Sequence, residues 1–296
     1  MHKITVPAPA KINLALDILA KRDDGFHEVE MIMQSVSLHD VVEIEKNSRG
    51  IYLEVDNSDL PSDENNIAYR AAELILEAAG ISAGIKINIK KNIPIAAGLA
   101  GGSSDAAAVL TGINILYDLN LSKNDLFSLA SKLGSDVAFC IDGGTALAYG
   151  RGELIKQLPD LEDAFIIIVN PGIKVSTAWA YKEYDSLHNT ERVDTDKLIK
   201  LLVEKKDITW REGWKNVMEK AVLPVYQEIS DIKDILLDMG AIFSMMSGSG
   251  SSVFAIVREK EIAEYIYSMW PRKSDFIVIS KTVRKGFLEL WKNNFC

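Results

Sequence analysis

The feature that most constrains this chain is the run PIAAGLAGGSSDAAA over residues 94–108, in which a glycine-rich turn leads directly into small, helix-forming residues. Gly98, Gly101 and Gly102 allow backbone conformations closed to other residues and a close approach to a ligand. The serines that follow mark a helix start, whose unpaired N–H groups and dipole attract an anion. The run therefore predicts a loop that binds a nucleotide polyphosphate, although a serine-capped structural helix would give a similar pattern. No Lys-Ser/Thr pair follows the glycines, so this is not a P-loop.

Length and charge bound the remaining possibilities. With 296 residues, of which 48% are hydrophobic, the chain is long enough for two domains. The net charge of −9, from 33 basic and 42 acidic residues without a block of like charge, argues against nucleic acid as a partner. An anionic substrate must therefore be held by a local cluster of donors.

Cysteine usage and hydropathy predict a cytoplasmic protein. Cys140 and Cys296 lack metal-type spacing and argue against a disulfide framework, which agrees with a reducing compartment. No apolar segment reaches membrane-spanning length, and Lys11, Asn13 and Asp17 interrupt the one candidate for a signal peptide. We therefore expect no membrane partner.

Hydrophobic periodicity predicts a mixture of strands and helices. Residues 12–18 and 85–91 alternate as half-buried strands do. Further strands are predicted over residues 145–149, 165–169, 252–257 and 276–280, and helices over residues 67–78, 126–133, 177–184, 195–204 and 225–239, with one more ending near Pro271. Because the two kinds of element do not alternate regularly, we expect an α+β class in both halves. A charged stretch up to Asp163 suggests domains of residues 1–160 and 161–296.

Two other segments present polar groups that can address a ligand. In PAKINL, residues 9–14, Lys11 and Asn13 lie two apart on a strand, so a cation and an amide point the same way. The run SGSGSS, residues 247–252, lies between two strand-like segments. Its glycines and hydroxyls either line a pocket or close a hairpin.

Read in order with the glycine-rich run, four segments resemble the signature of the GHMP kinases. They are PAKINL, DGFH at residues 24–27, LGSDV at residues 133–137 and SGSG at residues 247–250. Within that superfamily they most resemble the 4-diphosphocytidyl-2-C-methyl-D-erythritol kinases of the non-mevalonate isoprenoid pathway. Two departures are local: Ala138 stands where that family commonly has proline, and SGSG stands where threonines also occur. The resemblance implies a two-domain α+β fold, with a ribosomal-protein-S5-like N-terminal domain and a ferredoxin-like α/β sandwich as the C-terminal domain.

The resemblance also implies what such a chain does. The family transfers a phosphoryl group from ATP, accompanied by Mg²⁺, to the tertiary 2-hydroxyl of a methylerythritol carried on cytidine diphosphate. We expect a monomer or weak homodimer acting on this small molecule. A homoserine or mevalonate kinase is the alternative enzyme, against which the DGFH segment argues. A nucleotide-binding sensor without catalysis is the other alternative, against which Lys11 and Asp136 argue.

Phosphoryl transfer needs aligned reactants, charge neutralisation and a group that receives the hydroxyl proton. A capping box at Ser122 opens a helix that Gly134 ends, so Asp136 is expected just beyond a helix end. Asp136 is our candidate for the proton receiver, with Lys11 beside it to stabilise the developing alkoxide. The resemblance implies the same pair. Without the resemblance, Asp136 is more typical of a loop or cap aspartate.

The remaining site residues follow from the run and the resemblance together. The expected ATP-binding residues are Pro94, Ala96, Ala97, Gly98, Leu99, Ala100, Gly101, Gly102, Ser103 and Ser104, with Asn66 and Lys91 near the adenosine. The expected substrate-binding residues are Asn13, Phe26, His27, Tyr181, Ser247, Gly248, Ser249 and Gly250. Tyr181 is chosen over Trp179 to stack on the cytosine, and either aromatic could instead be a core residue. Ser104 is a possible Mg²⁺ ligand, and no other metal ligand is assigned.

Overall fold

The computed structural model describes residues 1–161, 163–188, 191–204, 210 and 213–284. The strands are β1 (Lys3–Lys21), β2 (His27–Asn47), β3 (Ile51–Val55), β4 (Gly84–Lys90), β5 (Thr145–Gly150), β6 (Leu154–Gln157), β7 (Phe165–Asn170), β8 (Phe243–Met246), β9 (Val253–Val257) and β10 (Phe276–Lys281). The helices are α1 (Ile67–Ala78), α2 (Gly101–Leu116), α3 (Lys123–Ser131), α4 (Ser135–Asp142), α5 (Thr177–Asp185), α6 (Thr195–Val203), α7 (Glu219–Val222), α8 (Gln227–Asp238) and α9 (Lys260–Met269). Among the described residues, no helix is long and apolar enough to span a membrane.

The first sheet is organised around the long strand β2. One edge of β2 pairs antiparallel with β1 along nearly its whole length, and the other edge pairs with β5 near its start and with β4 near its end. β3 lies parallel to β4, and β6 pairs with β5. The long β1–β2 pair therefore forms the platform on which the rest of the N-terminal half is built.

Helix α2 packs tightly against this platform because its residues are small. A Cβ atom added to Gly112 would lie 2.4 Å from Ile44 Cδ1 and 3.1 Å from Val6 Cγ2, so the helix axis comes close to the sheet. Helices α1 and α4 pack beside α2, and α3 packs against α4. This close approach fixes the start of α2, where the glycine-rich run ends, relative to β1.

The second sheet has the strand order β10-β7-β9-β8 and is antiparallel throughout. Helix α8 connects the strands β7 and β8 after α5 to α7, helix α9 connects β9 and β10, and both pack on the sheet. This arrangement confirms the expected ferredoxin-like C-terminal domain. The first sheet ends at β6 and the second begins at β7, and the division into residues 1–160 and 161–296 stays our proposal.

The two sheets are joined directly. The Ser280 hydroxyl of β10 accepts a hydrogen bond from the Leu38 backbone N–H of β2 at 2.9 Å. The Leu16 N–H donates to the Lys215 carbonyl at 3.0 Å, and the Val217 N–H donates to the Leu16 carbonyl at 3.0 Å. Both edges of the β1–β2 platform thus contact the C-terminal half.

Several sequence predictions need correction here. The segment 12–18 is buried on both faces and not on one, because the C-terminal half covers the second face; the buried Asp17 carboxylate, for example, accepts a hydrogen bond from Arg192 Nε at 2.8 Å. The helix predicted to end at Gly134 ends at Ser131, and Asp136 lies in the first turn of α4, a helix the periodicity did not predict. Cys140 is buried and unpaired, and Cys296 lies outside the described residues.

Candidate active site

A cleft of about 940 Å³ lies between the two halves. Its wall contains segments far apart in sequence: the middle of β1, the glycine-rich run, the start of α4, the helix α5 and the SGSG turn between β8 and β9. The cleft therefore gathers the segments that the sequence analysis singled out.

The centre of the cleft holds Lys11 and Asp136. The Lys11 Nζ atom lies 3.5 Å from Asp136 Oδ2 and donates to Asn13 Oδ1 at 2.8 Å, so Lys11 and Asn13 do point the same way from β1. The Lys11 side chain is 5% exposed, whereas the Asp136 side chain is 27% exposed. Asp136 thus presents a carboxylate to the cleft with a buried cation behind it.

The glycine-rich run is bound to β1 beside this pair. The Lys11 backbone N–H donates to the Leu99 carbonyl at 3.1 Å. The residues with positive φ are Gly98 at 75°, Ala96 at 52° and Ala100 at 56°, and not the two glycines after Ala100, which are the first residues of α2. The expectation that all three glycines supply unusual conformations is therefore corrected: two alanines take left-handed conformations that cost an L-residue free energy.

Small size is what the structure requires at Gly101. A Cβ atom there would lie 3.2 Å from Ile93 Cγ2 and 3.4 Å from Lys91 Nζ. Ala100 is the N-cap residue of α2 and no side chain caps this helix, so the serine-capped alternative does not describe it. The first N–H groups of α2 have no acceptor within the helix and lie at the cleft.

Two of the expected ATP-binding residues in the run do not line the cleft. The Ser104 hydroxyl donates to the Pro9 carbonyl at 2.7 Å, and Ser104 is 1% exposed. Leu99 is buried in the hydrophobic core. The structure thus directs the Ser104 side chain toward β1 and away from any ligand of the cleft, which contradicts its expected contact with phosphate or Mg²⁺. Ser103 does line the cleft.

The SGSG run forms the turn that joins the paired strands β8 and β9, and Gly248, Ser249 and Gly250 also line the cleft, so both expected roles of this run hold. Ser247, expected to bind substrate, is buried and does not line the cleft. The Ser247 hydroxyl donates to the Gly98 carbonyl at 2.9 Å. A Cβ atom on Gly98 would lie 2.1 Å from the Ser247 carbonyl oxygen, and one on Gly248 would lie 3.5 Å from Lys11 Nζ. A side chain on Gly98 would therefore clash with the turn, whereas one on Gly248 would only be in ordinary contact with Lys11.

Aromatic rings lie at one end of the cleft. The rings of His27 and Tyr181 stack with centroids 4.5 Å apart and an angle of 19° between their planes. Burial, with a further contribution from the negative charge of Asp136, raises the pKa of Tyr181 to about 12. Phe26 is 52% exposed at the same end, whereas Trp179 packs edge-on against Tyr226 and does not line the cleft.

His27 is held by a carboxylate that the sequence analysis missed. Its Nε2 atom lies 2.7 Å from Asp185 Oδ1, and Lys21 Nζ donates to the other oxygen of Asp185 at 2.6 Å. Partial burial opposes ionisation of Asp185, but hydrogen bonds from Lys21 and His27 hold its pKa below the usual range. No local signal in the sequence links Asp185 to the DGFH segment, because 158 residues separate it from His27.

The two residues expected near the adenosine, Asn66 and Lys91, also line the cleft, near the start of α2. The Asn66 Oδ1 atom accepts a hydrogen bond from the Ala68 N–H and caps α1. Lys91 is buried between Asp40 and Asp105, with Nζ 2.6 Å from Asp105 Oδ2. Both carboxylates escaped the sequence analysis, although Asp105 stands within the glycine-rich run itself.

Comparisons with known proteins agree with this geometry. A family profile of the GHMP kinases N terminal domain matches residues 66–144, and a profile of the GHMP kinases C terminal domain matches residues 197–275. The chain is 47% identical over 267 residues to a 4-diphosphocytidyl-2-C-methyl-D-erythritol kinase of Acetivibrio thermocellus, which covers 90% of this chain and 94% of the relative. It is 42% identical to the kinase of the same name from Clostridium botulinum, over 94% of this chain and 99% of the relative.

Solved structures give the same result. The chain is similar to a crystal structure of 4-(cytidine 5'-diphospho)-2C-methyl-D-erythritol kinase, with a TM-score of 0.80 at 31% identity over 94% of this chain and 99% of the other. A homoserine kinase from Cytophaga hutchinsonii, 23% identical with a TM-score of 0.77 over 96% of each chain, shares the fold. The chain therefore belongs to the GHMP kinases and, within them, to the family of 4-diphosphocytidyl-2-C-methyl-D-erythritol kinases.

Proposed function

We propose that this kinase transfers the γ-phosphoryl group of ATP to the 2-hydroxyl of 4-diphosphocytidyl-2-C-methyl-D-erythritol, giving the 2-phosphate and ADP. The observation that carries the proposal is the pair of Lys11 and Asp136, 3.5 Å apart at the centre of the cleft and beside the start of α2. The relatives named for this activity cover nearly the whole chain.

ATP would be held through its phosphates by the backbone N–H groups at the start of α2. Those groups have no acceptor within the helix, and the helix dipole favours an anion at the same place. Asn66 and Lys91 line the cleft near the start of α2, and the adenosine would then be bound beside them. ATP supplies the phosphoryl group, and the protein contributes position and charge.

Asp136 would receive the proton of the attacking hydroxyl. Its side chain is the more exposed member of the pair, so a substrate hydroxyl can reach the carboxylate from the cleft. Lys11 Nζ would stabilise the negative charge that develops on the hydroxyl oxygen, and its hydrogen bond to Asn13 Oδ1 fixes the ammonium in place.

The cytidine end of the substrate would lie against the aromatic cluster. Tyr181 and Phe26 offer faces for the cytosine ring, and His27, held by Asp185, offers a ring nitrogen. The SGSG turn would contact the methylerythritol, because Gly248 lies next to Lys11. Trp179 is the weaker choice for the stacking residue, since it does not line the cleft and Tyr181 does.

Mg²⁺ would accompany ATP and be held mainly by its phosphates, as is usual for this ion. The described residues contain no cluster of three or more His, Cys, Asp or Glu side chains suited to a metal. The Ser104 hydroxyl is bonded to the Pro9 carbonyl and does not fit the role of a ligand. We therefore assign no step of the reaction to a metal ligand of this chain. Cytoplasmic location and a monomer or weak homodimer stay predictions.

The direct test is to incubate the protein with ATP and separately with 4-diphosphocytidyl-2-C-methyl-D-erythritol, homoserine and mevalonate, and to identify which alcohol gains a phosphate. Transfer to homoserine or mevalonate alone would contradict the proposal. Asp136→Asn should bind ATP with nearly unchanged affinity and lower turnover by about two to four orders of magnitude, the range for loss of a positioned base. Lys11→Met should also lower kcat; a change confined to KM would make Lys11 a binding residue.

A further inference from the structure

Arg151 is a cation of the cleft that the reaction described above does not use. The cations that line the cleft, among the described residues, are Lys11, Lys21, Lys91, Arg151 and Lys182. The first three each have a carboxylate within 3.5 Å, so their charges are already compensated. Arg151 has looser partners: the Oε1 atom of Glu153 lies 3.6 Å from Arg151 Nε, and the Arg151 charge contributes, after the Phe26 N–H and Arg22, to lowering the pKa of Asp24.

The guanidinium of Arg151 is held in a defined orientation. It lies over the ring of Phe26, with the Cζ atom 4.9 Å from the ring centroid. Its own backbone N–H donates to Glu153 Oε2 at 2.6 Å, which fixes the turn between β5 and β6. Neither Nη atom has a hydrogen-bond partner among the described residues, so the edge of the guanidinium that bears them stays available.

The position of Arg151 links the two ends of the substrate site. On one side, Phe26 precedes His27, which stacks on Tyr181. On the other side, the next residue along the turn approaches the catalytic pair, because a Cβ atom on Gly152 would lie 3.4 Å from the Cβ of Ser135, the neighbour of Asp136. Arg151 therefore stands between the aromatic cluster and the carboxylate that receives the proton.

We propose that Arg151 binds the diphosphate that joins the cytidine to the methylerythritol in the substrate. This inference rests on the proposed function, which puts the cytosine at the aromatic cluster and the hydroxyl at Asp136, so that the diphosphate falls between them. A guanidinium offers paired N–H donors that match phosphate oxygens. The chain carries a net charge of −9, and a dianionic group needs such a local cation.

The test compares ligands that differ only in the diphosphate. CDP and cytidine are titrated calorimetrically into the full-length wild-type protein and into Arg151→Gln. We expect Arg151→Gln to weaken CDP binding about 10- to 100-fold, the loss expected for charge-assisted hydrogen bonds, and to change cytidine binding less than about twofold. Arg151→Lys, which keeps the charge without the paired donors, should give an intermediate loss for CDP. ATP affinity should stay unchanged in both variants.

Arg258→Gln is the matched control, because Arg258 is exposed and lies outside the cleft but the substitution removes the same charge. Unchanged CDP affinity in Arg151→Gln would overturn the inference. An equal loss of affinity for CDP and for cytidine would also overturn it, because Arg151 would then only support the ring of Phe26. If Arg151→Gln does not fold, Arg151→Lys decides by the same ratio of CDP to cytidine affinity. If the wild-type protein does not phosphorylate the cytidyl substrate, the proposed function is wrong. If the wild-type protein does so and Arg151→Gln has an unchanged KM for that substrate, only the inference about Arg151 is wrong.

Discussion

The buried group formed by Lys91, Asp40 and Asp105 predicts a pH-dependent stability. The three side chains are at most 6% exposed, and two carboxyls share one ammonium. Burial raises the pKa of Asp105 to about 8; the Lys91 ammonium opposes this shift and the negative Asp40 adds to it. The Oδ1 atom of Asp105 has no hydrogen-bond partner, which removes a further source of stabilisation for the carboxylate. The informative substitution is Asp105→Asn, which keeps the shape and cannot ionise.

The size of the effect follows from proton binding. An unfolded Asp105 titrates near its ordinary value of 3.8 and the folded one near about 8, so between these values the folded protein holds a proton that the unfolded chain has lost. The folded-state pKa is raised, so stability falls as pH rises through this window and levels off above about pH 8. One proton corresponds to about 1.4 kcal/mol per pH unit. The stability of wild type minus that of Asp105→Asn should therefore decrease by about 1.4 kcal/mol per unit between about pH 5 and pH 7.5.

Urea unfolding at one-unit steps from about pH 5 to pH 9 measures this difference, because groups common to both proteins cancel. Asp125→Asn is the control. Hydrogen bonds from Ser122 lower the pKa of the exposed Asp125 below its ordinary value of 3.8. The contribution of Asp125 ionisation to the free energy of unfolding is therefore constant over the pH range of the experiment. Parallel stability curves for wild type and Asp105→Asn would refute the argument that burial keeps this carboxyl protonated.

Two further predictions concern the loop and the aromatic end. In chemical unfolding, Gly98→Ala should destabilise the fold by at least about 2 kcal/mol more than the control Gly25→Ala. Both glycines have positive φ, but only a Cβ on Gly98 would lie 2.1 Å from a carbonyl oxygen, that of Ser247. Equal losses of stability in the two variants would show that the contact with Ser247 relaxes freely. Tyr181→Ala should weaken cytidine binding by roughly 1–3 kcal/mol and Tyr181→Phe should be nearly neutral, with ATP affinity unchanged in both; a lower Tm with unchanged cytidine affinity would make Tyr181 a core residue.

The sequence was most informative where function depends on residues that are close along the chain. Lys11 and Asn13 share one face of a strand, and alternation alone predicts that relation. The glycine-rich run is likewise local, since strand, loop and helix follow one another within residues 84–116. The prediction failed only in detail, because it assigned the unusual backbone conformations to glycines where two are taken by Ala96 and Ala100.

Relations across the fold could not be predicted in this way. β2 was not predicted although its second half alternates, because residues 31–36 in its middle are buried on both faces and interrupt the alternation of a half-buried strand. The carboxylates that hold His27 and Lys91 come from other elements, so no spacing connects Asp185 or Asp40 with its partner. Ser104 faces the Pro9 carbonyl for the same reason: the side of α2 that meets β1 is decided by packing.

The contacts between the two halves couple the parts of the site to one another. The Ser252 N–H donates to the Ala97 carbonyl, and the Ser247 hydroxyl donates to the Gly98 carbonyl, so the SGSG turn is bonded to the loop expected to hold ATP. Asn216 Nδ2 donates to the Gly248 carbonyl at 2.7 Å and thereby fixes the same turn from the C-terminal half. Because Gly248 approaches Lys11, a shift of one half relative to the other would move the loop, the turn and the catalytic pair together. The interface between the halves and the geometry of phosphoryl transfer therefore depend on the same few backbone contacts.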